Sequence, residues 1–240
     1  MPGSVKTEAI VLRSLRYGEA DRILHLYTPH RGRVSAIAKG VRKARSRFGG
    51  RLEPFFRIHG VFHEGRSEML TVTSASTISP HPRLREHAGS LDVAARCCDA
   101  VGRLFATDDP HPGVYHLLAN ELALLDSAPE RADAANAVAF RLKLLVAAGL
   151  SPHLSACASC GEREHLVGFS GAAGGVVCGS CEAGSFRLGQ EAHDFLVAAL
   201  GRPLSDTPVV APGALAQAER AVRETAEFHA HVRLGTVPRD

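Results

Sequence analysis

The 240-residue chain has no tryptophan and only three tyrosines. Broad planar rings are scarce, so little is on offer for a flat ligand to stack against. No apolar run is long enough to span a bilayer. Residues 1–8 lack the basic-then-apolar layout of a secretory signal, so a soluble cytoplasmic protein is expected. Low-complexity tracts and internal repeats are missing as well. There is no G-x-x-x-x-G-K-[ST] phosphate loop, no H-E-x-x-H pair and no nucleophile elbow. The chain is therefore expected not to be an enzyme, with no catalytic residue and no small-molecule substrate. The acidic residues Glu19 and Asp21, and Asp108 and Asp109, fall in turn-like stretches where turn, cap or ion-pair roles suffice.

One further absence is local. From Arg31 to Arg51 there is no acidic residue, while eight cations occur: Arg31, Arg33, Lys39, Arg42, Lys43, Arg45, Arg47 and Arg51. Residues 1–80 hold 14 Lys+Arg and 6 Asp+Glu, a net of +8 in a chain whose total is +3, so the remainder carries −5. A basic front and an acidic rear point to a polyanion surface at the front. The bland alternative is a solvated charged loop.

The apolar pattern supplies a frame for those cations. Thr7–Leu15, Asp21–Thr28, Val34–Lys39, Phe55–Phe62 and Met69–Thr73 alternate or are apolar enough to read as strands, with Val11 and Leu15 expected on one face of the first. Turns are expected at Tyr17-Gly18-Glu19-Ala20, at Thr28-Pro29-His30-Arg31-Gly32 and at Glu64-Gly65-Arg66. Five short strands in about eighty residues, with one long basic connection after the third, fit a small barrel of the OB or SH3-like kind. From Pro82 the period becomes helical, through Leu91, Ala94, Ala95, Cys98, Val101 and Phe105. Val114 to Leu125 mark a second helix. A third opens at Pro129 and stops near Gly149 and Pro152. Further helices are expected over Glu191–Leu200 and from Leu215 to Val232. Cys97 and Cys98 fit the helical pattern as small buried residues. Arg220, Arg223 and Arg233 on the last helix read as an ordinary solvated face. The tail from Gly235 is expected to fray.

The other four cysteines, Cys157, Cys160, Cys178 and Cys181, form C-x2-C-x17-C-x2-C. Two intervening residues let a tight turn aim both sulfurs at one ion, and Gly161 and Gly179 stand in turn positions beside them. The span between the pairs suits a short hairpin returning to the metal. Four thiolates leave no open coordination position, so one structural zinc per chain is expected. Disulfides or a redox pair are the competing readings. His153 and His165 lie nearby and are left out of the ligand set.

The runs Thr7–Arg13, Tyr17–Leu24, Tyr27-Thr28, Gly32–Val34, Ala38–Lys43, Ser46-Arg47 and Leu52–Pro54 resemble the N-terminal domain of the bacterial recombination and repair mediator family RecO. The resemblance extends over the layout of nearly the whole chain. It implies an α+β multidomain fold: an N-terminal OB-fold barrel over residues 1–80, then an all-helical domain over 81–240, interrupted at 153–187 by a four-cysteine zinc finger. It also implies a protein of the RecF pathway that binds single- and double-stranded DNA and anneals complementary strands. Its implied partners are RecR, single-strand-binding protein and, indirectly, RecA, with no membrane; the implied location is cytoplasmic, with the nucleoid. The family's basic surface maps onto Arg33, Lys39, Arg42, Lys43, Arg45 and Arg47. The shortage of aromatic residues departs from ring-rich OB-folds and shifts weight from base stacking to phosphate contact. A protein-docking adaptor with secondary DNA contact, and a transcription-type zinc module, are the alternatives.

Overall fold

A computed structural model describes residues 3–236 apart from Ala44 and Arg66. The turn expected at Glu64-Gly65-Arg66 therefore lies partly outside the described residues, as does the tail after Thr236. The chain divides into two compact units, Met1–Pro129 and Glu130–Asp240. The expected boundary after residue 80 marks the end of the barrel strands, while the compact unit that holds them runs on to Pro129. No helix among the described residues is long and apolar enough to cross a membrane.

The first unit is built on five strands: β1 (Ser4–Tyr17), β2 (Asp21–Thr28), β3 (Gly32–Ala38), β4 (Arg57–His63) and β5 (Leu70–Ser79). They close in the order β1-β2-β3-β5-β4, with β3 and β5 parallel and every other pair antiparallel. That order is the OB topology. Closure depends on the length of β1, whose first half pairs with β4 and whose second half pairs with β2. A bulge at Leu12 divides the halves, because Val11 faces Leu26 while Arg13 already faces His25. The extra residue shifts the alternation. Ala9 and Val11 point into the core and Ser14 pairs with core Leu24, which leaves Arg13, Leu15 and Tyr17 outward. The expectation that Val11 and Leu15 share a face fails for this reason.

The core holds Leu24, Leu26, Ala36, Ala38, Ile58, Phe62, Leu70 and Val72, plugged by Phe48 and Leu52 from the long β3–β4 connection. Outside the barrel wall, α1 (Ala88–Leu104) and α2 (Pro112–Ser127) belong to the same unit. Tyr27 points out of the barrel and meets Phe105 edge-on at 6.3 Å. Cys97 and Cys98 are buried in α1, as expected. Gly32, with φ +55°, ends the β2–β3 turn against the backbone carbonyl of Asp109, where a Cβ would come within 2.3 Å.

The second unit contains α3 (Ala134–Ala147), a three-stranded sheet of β6 (Leu166–Ser170), β7 (Gly175–Cys178) and β8 (Phe186–Arg187), then α4 (Gln190–Gly201) and α5 (Pro212–Ala230). Pro129 opens only a 3-10 turn. Helix α3 starts at Ala134, because the Asp133 carboxylate accepts the Asn136 N–H at 2.7 Å and caps it. At its far end Gly149 takes φ +75°, the expected stop. On α5, Arg220 pairs with Glu224, and Arg233 just beyond pairs with Glu227, as a solvated face should.

Candidate functional site

Antiparallel register lays the outward residues of β1, β2 and β3 in rows. Arg13, His25 and Ser35 form one row; Leu15, Ile23 and Ile37 form the next, continued by Thr71 of β5. Tyr17 and Asp21 follow, beside Lys39 just past the end of β3. The middle row is half-buried and apolar. Tyr17 is 53% exposed, a free ring at the edge of this face. Arg33 and Lys39 both belong to the outward set of β3. Six residues at about 3.3 Å each put them about 20 Å apart.

The basic connection leaves this face at Lys39. Its first turn is pinned from outside: the Asp21 carboxylate accepts the Gly40 N–H at 2.7 Å, and the Ala20 carbonyl accepts the Arg42 N–H at 2.9 Å. Asp21 thus holds the loop, a structural role of the kind expected for it. Successive turns follow from Lys43 to Ser46 and from Ser46 to Gly49, until Phe48 and Leu52 drop into the barrel. Two buried apolar anchors and a pinned start hold the loop at its two ends.

Lys39, Arg42, Lys43, Arg45 and Arg47 are all exposed. Among the described residues none of the five is in an ion pair with a carboxylate. Arg42 donates to the Glu19 carbonyl at 3.2 Å, and Arg47 lies 4.8 Å over the Phe48 ring. Arg33 is placed differently. It is half-buried on β3, and one guanidinium nitrogen donates to the Gly102 carbonyl of α1 at 3.0 Å. Arg31 is paired with Glu64, and Arg51 is turned back on the Arg47 and Phe48 carbonyls. The structure therefore gathers five of the six expected cations on one loop and separates Arg33 from them. Arg13, His25, Tyr17 and the apolar row were not singled out from sequence. Only strand register brings them together, and a bulge conceals it.

The cysteine cluster is assembled by the β6–β7 hairpin, which places Cys178 opposite Leu166 and returns the second C-x2-C to the first. The Sγ atoms of Cys157, Cys160, Cys178 and Cys181 all lie within 4.8 Å of one another, and those of Cys160 and Cys178 are 3.7 Å apart. A tetrahedral ion with bonds of about 2.3 Å needs sulfurs about 3.8 Å apart. Gly161 takes φ +81° and donates to the Cys157 carbonyl, closing the first turn. Gly179 has no left-handed backbone; Gly184 has one instead, at φ +77°. Backbone N–H groups of Cys178, Cys160 and Ser159 point at Cys157 and draw its thiol down to about 6, with Cys178 contributing most. None of the six cysteines is in a disulfide, and neither His153 nor His165 joins the cluster. The four thiols fit one metal ion.

Two family models cover almost all of the chain. Recombination protein O N terminal matches residues 1–81, and Recombination protein O C terminal matches residues 90–237. A DNA repair protein RecO from Anaeromyxobacter sp. (strain K) is 37% identical over 238 residues, spanning 96% of this chain and 93% of that protein. DNA repair protein RecO of Rubrobacter xylanophilus is 40% identical over 180 residues, 74% of this chain and 71% of that protein. That of Bifidobacterium animalis subsp. lactis is 38% identical over 175 residues, 72% of each. With a closed OB barrel ahead of a helical unit that carries four converging thiols, and with matches along nearly its full length, the chain belongs to the RecO family of DNA repair proteins.

Proposed function

We propose that the first unit binds single- and double-stranded DNA through its phosphates, and that this capture serves strand annealing and, with RecR, the loading of RecA onto DNA coated by single-strand-binding protein. The observation that carries the reading is the loop from Lys39 to Arg47, with five exposed cations and no carboxylate partner among the described residues. Neutralising phosphates releases condensed counterions and lowers the repulsion between two strands held side by side. The outward face of β1–β3 offers an apolar row, one free tyrosine and cations at both ends. That suits an extended polymer better than a compact ligand. With Tyr17 the one exposed ring on this face among the described residues, base stacking contributes little and sequence preference is expected to be weak. RecR, RecA and single-strand-binding protein enter through family membership alone.

If about five cations engage a single strand, log K against log salt has a slope of about −3.5. Changing Lys39, Arg42, Lys43 and Arg45 together to Ala flattens it to about −0.7 and suppresses annealing of complementary oligonucleotides. An unchanged slope moves the site off the loop.

We infer that the ion held by the thiols is zinc, one per chain, with a bracing role. Elemental analysis of purified protein tests it; protein that is folded and zinc-free under metal-replete conditions overturns it. A docking role for the second unit has its own support in the exposure of Val209 and Phe228, at 100% and 52%. Substituting both with Ser should weaken capture of RecR or single-strand-binding protein while DNA affinity stays at the wild-type level.

A further inference from the structure

Beside the outward face of the barrel lies a cleft of about 660 Å³, walled on one side by β1–β3 and on the other by α1. The sheet side presents Arg13 on β1, His25 on β2 and Arg33 on β3; the helix side presents Asp99, Gly102 and Arg103. Arg103 and Asp99 are bonded to each other at 2.6 Å and largely cancel. Arg13 and Arg33 have no carboxylate partner among the described residues. Arg33 uses one guanidinium N–H on the Gly102 carbonyl. That bond fixes the fork and leaves the other donors to face the cleft. The His25 ring is held by Ser35, Nδ1 to Oγ at 3.2 Å, in the row it shares with Arg13.

Two guanidiniums without a carboxylate partner among the described residues, with an imidazole between them, leave the cleft a net positive charge, since Asp99 is taken up by Arg103. The fork geometry of arginine matches phosphate oxygens. Burial, with Arg33 and then Arg13 close by, holds the His25 imidazole below its ordinary 6.5. An entering phosphodiester sets one negative charge against the two guanidiniums, which weakens the repulsion at the ring and raises its affinity for a proton. We propose that this cleft is a subsite for one backbone phosphate of a bound strand, gripped by Arg13 and Arg33, and that His25 takes up a proton from solvent as the phosphate enters. The inference rests on the reading of the barrel as a DNA-binding surface. It adds a second anchor, built on the sheet and α1, separate from the loop.

The sign follows from linkage. A proton bound along with the strand makes affinity rise as pH falls, most steeply between the lowered value of the free ring and the raised value of the bound one, by up to tenfold per pH unit. The test measures binding of a labelled oligothymidylate to the full chain from pH 5.5 to 8 at constant ionic strength. The proteins compared are wild type, Arg13→Ala, His25→Gln and the four-residue loop variant. Wild-type affinity should rise several-fold from pH 7.5 to 6. His25→Gln should lose most of that rise, the other histidines accounting for what is left. Arg13→Ala removes an exposed side chain that makes no hydrogen bond or ion pair among the described residues, and should weaken binding about tenfold. The loop variant should bind weakly with its pH dependence intact. Arg13→Ala binding like wild type, or His25→Gln keeping the full pH dependence, overturns the cleft, and leaves the loop reading standing if the loop variant has lost affinity. A loop variant that binds normally while Arg13→Ala fails reverses that outcome. If neither change matters, both readings fall together.

Discussion

Gly60 lies on the inward face of β4 between Ile58 and Phe62, and the Phe62 ring fills the place where its side chain would be. A Cβ there would come within 2.4 Å of two ring carbons. Phe62 is fully buried and has no room to swing away. Gly60→Ala is expected to cost about 1–3 kcal/mol, read as a lower urea midpoint with unchanged slope. Glu8 makes a second, pH-dependent case. Its carboxylate accepts from Arg57 at 2.7 Å and from the Tyr115 hydroxyl at 2.9 Å, tying β1 and β4 to α2. Arg57, opposed by partial burial and helped by Tyr115, holds the carboxyl below its ordinary 4.5. The depressed value means the stabilisation is present above pH 4.5 and fades as pH falls through the folded value. Both partners are about one-third exposed, so the pair contributes about 1 kcal/mol at most. Glu8→Gln should be less stable than wild type near pH 7, and the gap should narrow progressively as pH falls below 4.5 in paired urea titrations. At this scale the sequence is legible where the code is local. Cys157, Cys160, Cys178 and Cys181 could be read from spacing because a two-residue turn sets the geometry within each pair and a short hairpin joins the pairs. Arg13 and His25 could not, since they are twelve residues apart and meet only through a register that the bulge at Leu12 displaces.

Among the elements, the cysteine hairpin is the one most dependent on something other than its own core. Its apolar cluster is small: Cys157, Val177 and Cys178, with Leu166 and Cys181 packed against them. A bridge from His153 to Gly175 closes its base, with the Val176 N–H bonded to the His153 carbonyl. A Cβ on Gly175 would meet that carbonyl oxygen at 2.3 Å. Gly175→Ala and Cys157→Ser should therefore loosen the same module by different routes. Both should increase protease cleavage between residues 153 and 187, and a strong chelator should reproduce the effect in wild type but add little to Cys157→Ser. Element type was readable from hydrophobic period, and element ends were less so. β5 runs to Ser79, well past the expected Thr73, because its second half is paired with β4 along an exposed face where Ser and Thr carry no apolar signal. The start of α3 was misplaced by Pro129, a residue that favours a first turn, when the Asp133 cap decides the matter.

For the whole molecule, the compact units and the family models draw different lines. The models meet between residues 81 and 90, whereas the first compact unit continues to Pro129. Physical reason favours the later line for folding. Ile10, Leu12 and Tyr27 are buried yet lie outside the barrel core, and the Tyr115 hydroxyl and the Phe105 ring cover part of this wall. A fragment of residues 1–129 should unfold cooperatively in urea. A fragment of residues 1–81 should bind an apolar dye and show a midpoint lower by 1 M or more, an effect on the order of a few kcal/mol of lost burial.

The cylinder is not fastened evenly. β3 and β5 meet over two register pairs, Ala36 with Leu70 and Ile37 with Thr71, while the other seams run seven pairs each. A tube hemmed by so short a stitch parts there first. The amide hydrogens that bridge this seam should exchange with solvent ahead of the rest of the wall, and an opening there turns a closed tube into a sheet with two bare edges.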